Sequence, residues 1–151
     1  MTDTQKLTRK DKVLALYNQH FNCCQVVFAA YGPNDKLDEE TALKLSSIFG
    51  GGVACSGTAL CGALMGGLMA ISMRYGFTDA KDYSAQAKAY EIGRAFMIDF
   101  KSKIGSCICE EILGINIGTQ DNLKKAQSLK LFETKCLKAV NLAADLLEGI
   151  L

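Results

Sequence analysis

The stretch Gly50–Gly76, GGGVACSGTALCGALMGGLMAISMRYG, decides how the chain folds. It carries no charge from Gly50 to Met73, and seven of the fourteen glycines lie between those bounds. Two of the seven cysteines, Cys55 and Cys61, sit in it. An uncharged run of this length must first be weighed as a membrane span. Its triple glycine and Ser56-Gly57-Thr58 break the start, so the helix predicted here runs from Thr58 to Met73, short of the roughly 20 residues a span needs. Helices on either side carry apolar faces in need of a partner, and this segment is apolar all round. It is therefore expected as the buried central helix of a bundle, with no membrane span. Gly62, Ala63, Gly66, Gly67 and Ala70 recur at helical intervals, so a neighbouring backbone or a cofactor should approach closely there.

Working back from Gly50, the third helix is expected to start at Asp38, with Glu39 and Glu40 in its first turn. Ala42, Leu45, Ile48 and Phe49 would form its buried face, and the glycines end it. Before it, Asn22 and Gln25 have capping-box spacing ahead of the apolar run Val26–Tyr31, which Gly32-Pro33 stops. Thr8 and Asp11 repeat that spacing ahead of Val13, Leu14, Tyr17 and Phe21. Working forward, Tyr83, Ala87, Tyr90, Gly93, Met97, Phe100 and Ile104 step by three and four, which predicts one long helix over 79–104 with this stripe, and Phe96, in the core. Thr78 or Asp79 would cap it. A short helix Cys107–Leu113 closed by Gly114, a weaker one from Thr119 to about Leu129, and a last one over 132–148 complete the chain. The last places Cys136, Val140, Ala143 and Leu147 on one face. No useful length alternates apolar with polar, so the class is all-α: a single-domain bundle of six to seven helices over 1–151.

The composition, 49% hydrophobic and 22% charged, is that of a globular domain, and a net charge of +1 without a long basic run excludes a nucleic-acid footprint. The apolar run after the basic start, Val13–Tyr17, is too short for a secretory signal, so a cytoplasmic compartment with reduced thiols is expected. Seven cysteines there are too many to be incidental, and an odd count argues against a closed set of structural disulfides.

No Cys-x-x-Cys occurs, so a thioredoxin-type pair, a zinc ribbon and a ferredoxin run are all excluded as local motifs. Any site must be assembled from separate helices. Cys107 and Cys109 lie on opposite sides of a helix, and adjacent Cys23 and Cys24 also diverge, so one member of each pair should point inward. Cys23, Cys24 and the Cys107/Cys109 pair fall in the first turns of predicted helices, where free N–H groups favour the thiolate and should lower the pKa. His20 could assist Cys23, although a lone His at a helix end is more often solvated. Met65, Met69 and Met73 read as core filler.

The ordered set Phe21-Asn22-Cys23, Phe49-Gly50-Gly51-Gly52, Cys61-Gly62-Ala63-Leu64-Met65-Gly66, Gly105-Ser106, Cys109-Glu110-Glu111-Ile112-Leu113-Gly114 and a late Cys136 resembles a bacterial and archaeal family of redox-active proteins named for its pattern, C_GCAxxG_C_C. The resemblance spans about residues 22–136 and implies redox activity. It singles out Cys23, Cys61, Cys109 and Cys136, and leaves Cys24, Cys55 and Cys107 as extras, with Cys55 a bystander. Four such thiols suit thiol–disulfide exchange with a redox partner protein or a small thiol, with Cys23 and Cys109 attacking and a mid-helix Cys61 resolving. They equally suit a metal site in which Cys23, Cys61, Cys109 and Cys136 hold zinc or an iron–sulfur cluster. A third reading is a non-catalytic ligand carrier with its pocket against the Gly62–Ala70 face. Homodimerisation is left open.

Overall fold

The computed structural model describes residues 6–151; the first five residues of the expected domain lie outside it. Among the described residues there are eight α-helices, one π-helical turn and no strand: α1 Arg9–Asn18, α2 Cys23–Tyr31, α3 Glu39–Ser46, α4 Gly62–Tyr75, α5 Tyr83–Ile104, α6 Cys109–Leu113, α7 Gln120–Ser128, the π turn Phe132–Cys136, and α8 Leu137–Glu148. The all-α class holds, with more helices than the six to seven expected. None of them is long and apolar enough to cross a membrane.

The helix starts follow their caps. Thr8 with Asp11, and Asn22 with Gln25, form reciprocal capping boxes, while Asp38 and Thr119 cap α3 and α7. Gly105 and Gly114 close α5 and α6 in the left-handed conformation. The cap of α5 is Asp82, not Thr78 or Asp79.

The centre is a pair, not a single helix. α2 buries seven of its nine residues, from Cys24 and Val26 through Tyr31, and packs along α4. Glycines allow this approach: a Cβ on Gly66 would lie 2.6 Å from the Cys24 carbonyl oxygen, and one on Gly67 would lie 2.3 Å from the Phe96 ring. α8 covers the pair with fully buried Val140, Ala143 and Leu147. A smaller apolar cluster of Cys109, Leu113, Ile117 and Ala126 lies apart from this core, with Phe132 and Cys136 packed against it.

Several expectations fail for one reason: an apolar stripe is buried only where something covers it. α4 begins at Gly62, not Thr58, and its C-terminal turn reaches solvent, so Met73 is exposed and not core filler. In α3 the buried positions are Ala42 and Ser46, and Leu45 and Ile48 are exposed. α5 has 22 residues against 14 in α4, so its first turns outrun their support. Tyr83 and Tyr90 are 73% and 58% exposed, and only Phe96 and Phe100 are fully inserted. The last helix starts as the π turn and becomes α-helical only at Leu137.

Candidate functional site

Between the main core and the smaller cluster lies a cavity of about 800 Å³. Five of the seven cysteines line it: Cys23, Cys55, Cys61, Cys109 and Cys136. Cys23 and Cys61 belong to the main core's side, and Cys109 and Cys136 to the smaller cluster's. Cys24 and Cys107 turn away, the first toward Met69 (Sγ to Sδ 3.7 Å) and the second toward the Met97 carbonyl (3.8 Å). A second, shallower depression of about 530 Å³ beside Lys103 and Asp145 contains no cysteine.

Local structure puts each sulfur in place. Cys23 is the first residue of α2, set by the Asn22 cap. Cys61 is not mid-helix as expected; it is the N-cap of α4 and contributes no side-chain cap bond. The reason is a long-range link. Leu60 and Ile108 form an isolated antiparallel bridge, with Cys61 N–H donating to the Cys107 carbonyl (2.8 Å) and Cys109 N–H to the Ala59 carbonyl (3.0 Å). With Leu60 and Ile108 taken up in that bridge, α4 starts at Gly62 and α6 at Cys109 instead of Cys107, and Cys61 and Cys109 sit on the two bridged segments. Cys136 ends the π turn, in which Leu137 N–H reaches back to the Phe132 carbonyl. The Tyr17 hydroxyl donates to that same carbonyl and lines the cavity. π turns often mark functional positions, and neither this one nor the role of Tyr17 carries a signal in the sequence.

The glycine loop shapes the remaining wall. Gly51, Gly52, Val53, Ala54 and Cys55 all have positive φ, between 53° and 71°, so five consecutive residues wind left-handed. Only glycine adopts this readily; for Val53 it is an outlier. The turn brings Gly51 and Gly52 against the site: a Cβ on Gly52 would lie 2.6 Å from Cys109 Cβ. A Cβ on Gly62 would lie 2.3 Å from Cys23 Sγ.

The electrostatics oppose the expected low thiol pKa values. Cys23 keeps some surface as a residue, but its sulfur lies deep, and desolvation raises its pKa. The backbone amides of Gly51, Cys24 and Gly62, with its own, act in the other direction and favour its thiolate. Burial likewise pushes Cys61 and Cys109 up to about 12, each raised further by charge on Cys23. Cys24 and Cys136 are also raised, by burial first and then by Cys23. The helix-start amides favour the thiolate as expected, but the cost of desolvation outweighs them. His20 is exposed on the cavity rim and is not among the groups acting on Cys23.

A family model described as "Putative redox-active protein (C_GCAxxG_C_C)" matches residues 21–150. The chain belongs to this family. As a C_GCAxxG_C_C protein it reads Cys61-Gly62-Ala63-Leu64-Met65-Gly66 where the description prints GCAxxG, and a side chain at position 62 would collide with Cys23 Sγ. Neither the curated proteins nor the solved structures contain a match to it.

Cys23, Cys61, Cys109 and Cys136 come from four separate elements to one cavity, and Cys55 joins them there. Among the described residues, however, no three or more His, Cys, Asp or Glu side chains are arranged to hold a metal ion. The described side chains are therefore not arranged as a preformed site for a single ion such as zinc. The carrier pocket expected along Gly62–Ala70 is also not there: Gly66 and Gly67 are closed by α2 and Phe96, and only Gly62 reaches the cavity.

Proposed function

We propose that this protein performs thiol–disulfide exchange through Cys23, Cys61, Cys109 and Cys136. The observation that carries the reading is the convergence of these thiols on one cavity, with four backbone amides favouring negative charge on Cys23, more than on any of the other three. Cys61 has only two such amides, those of Ala63 and Leu64. A charge placed on Cys23 raises the other three. Cys23 is therefore the sulfur that attacks first, and the one that leaves best.

In the forward direction the Cys23 thiolate attacks a disulfide, forming a mixed disulfide and releasing one thiolate. Cys61 or Cys109 then loses its proton and attacks the Cys23 sulfur. An intramolecular disulfide forms and the second thiolate leaves, so the substrate has gained two electrons. Because the thiols are held protonated, the rate should rise with pH above neutrality, as the thiolate fraction grows. The substrate is a redox partner protein or a small thiol compound in its disulfide form.

Thiol counting in denaturant, before and after mild oxidation with diamide, tests the reading. Four thiols should disappear on oxidation, and peptide mapping should place them at Cys23, Cys61, Cys109 and Cys136. Seven titratable thiols under both conditions would sink it.

A further inference from the structure

We propose that Cys55 is the docking thiol through which a protein dithiol reaches the buried cysteines, by exchange with Cys109. This rests on the exchange function above and adds the class of partner and its route. A small thiol can enter a cavity of about 800 Å³, but the active site of a folded protein cannot. Cys61 and Cys109 are 6% and 7% exposed, and Cys23 and Cys136 are partly covered. Exchange needs the attacking sulfur to meet the disulfide sulfur directly. Cys55 is the one exposed cysteine among the described residues, and it lines the same cavity.

Cys55 and Cys109 are carried by segments tied together. The residues after Cys55 are bonded to the start of α6: Glu110 N–H donates to the Gly57 carbonyl (2.9 Å), and Cys109 N–H to that of Ala59 (3.0 Å). Gly52, in the same left-handed turn as Cys55, is the residue against which Cys109 Cβ packs. Charge on Cys55 is felt at Cys109, in keeping with that proximity.

The step balances as ordinary exchange. With a disulfide joining Cys23 to Cys109, the Cys55 thiolate attacks the Cys109 sulfur. A Cys55–Cys109 bond forms, the Cys23–Cys109 bond breaks, and the Cys23 thiolate leaves into its amide cradle and takes up a proton. A partner dithiol then attacks the exposed Cys55 sulfur, releasing Cys109 as a thiol, and its second sulfur closes the partner's own disulfide while freeing Cys55. The protein gains two electrons and two protons, and the partner dithiol is oxidised.

The test compares wild type with Cys55→Ser after diamide oxidation and removal of the oxidant. Reduction is followed with reduced thioredoxin as a protein dithiol and with dithiothreitol as a small one. Cys55→Ser should slow reduction by thioredoxin at least about ten-fold and leave the dithiothreitol rate within about two-fold. Thioredoxin lacking its second active-site cysteine should be trapped on wild type at Cys55. An unchanged thioredoxin rate, an equal loss with both reductants, or trapping at another cysteine overturns the proposal. If wild type forms no disulfide among Cys23, Cys61, Cys109 and Cys136, the exchange function falls as well; if it does and Cys55→Ser behaves as wild type, only the role of Cys55 falls.

Discussion

At the scale of single residues, the site depends on what is missing at position 62. Gly62 begins α4, and its missing side chain leaves the space that Cys23 Sγ occupies. Gly62→Ala forces a methyl group to within 2.3 Å of that sulfur and 3.0 Å of the Cys24 nitrogen. Either Cys23 leaves its rotamer or the α2–α4 pair separates. The expected outcome is a loss of about 1–3 kcal/mol in urea denaturation, as for other overpacked interiors. It should come with faster alkylation of Cys23 and an unchanged rate at Cys107, which lies away from the cavity. A stability equal to wild type would mean that the close packing here is slack. The Cys23 surroundings were half legible in the sequence. Asn22 and Gln25 announced the helix start, and with it the amides of α2. The Gly51 and Gly62 amides come from distant parts of the chain, and the burial that outweighs all four could not be read locally.

Among the elements, the left-handed turn Gly51–Cys55 is the most unusual. The glycines at Gly51 and Gly52 adopt it freely, but Val53, Ala54 and Cys55 do so against the Cβ clash that disfavours this region, at a cost of roughly 1–2 kcal/mol per residue. The turn is held by Ala54 N–H to the Ile48 carbonyl (2.6 Å), Cys55 N–H to Gly50 (3.1 Å) and Gly57 N–H to Gly51 (2.9 Å). Val53→Gly removes the branched side chain from φ 66° while adding unfolded-state entropy. The balance should be a gain of up to about 1 kcal/mol, seen as a higher urea midpoint with the slope unchanged; a lower midpoint would show that Val53 contributes packing that exceeds its strain. The glycine run marked this segment as special, yet what it builds was not foreseen. The Leu60–Ile108 bridge is a contact between residues far apart in sequence, and with it in place α4 starts at Gly62 instead of Thr58 and Cys61 is left as a cap. In α5 the apolar stripe through Tyr83 and Tyr90 was real as a pattern, but no helix reaches far enough to cover it.

For the whole molecule, the cavity is a seam between two apolar clusters, with two thiols on each side. Burial pushes the thiols of Cys61 and Cys109, one from each side, up to about 12. The unfolded chain releases these protons near the ordinary thiol value of about 8.5, so above that pH the folded state binds more protons than the unfolded one. This contribution to stability is fully present below about pH 8.5 and lost between there and about 12, at up to about 1.4 kcal/mol per pH unit for each thiol. Urea midpoints of the reduced protein should therefore fall steeply above pH 9, and less steeply in Cys61→Ser/Cys109→Ser; identical slopes would place the alkaline loss elsewhere. Whereas the choice of Cys23, Cys61, Cys109 and Cys136 rests on the family resemblance, the all-α class lay open to reading because caps and glycines are local signals. The division of the core into two clusters was not, since it arises only when α6, α7 and the π turn fold away from the α2–α4 pair.

Desolvated thiols also tie electron transfer to proton transfer. Under the proposed chemistry, a disulfide reduced in this cavity must take up two protons with its two electrons, because the thiolates that would spare them are not stable there. The reduction potential should then fall by about 59 mV for each unit rise in pH, and continue to do so well beyond the point where a low-pKa dithiol would level off. The same burial that makes these cysteines slow to react at neutral pH makes the couple a reporter of proton activity as well as of redox state.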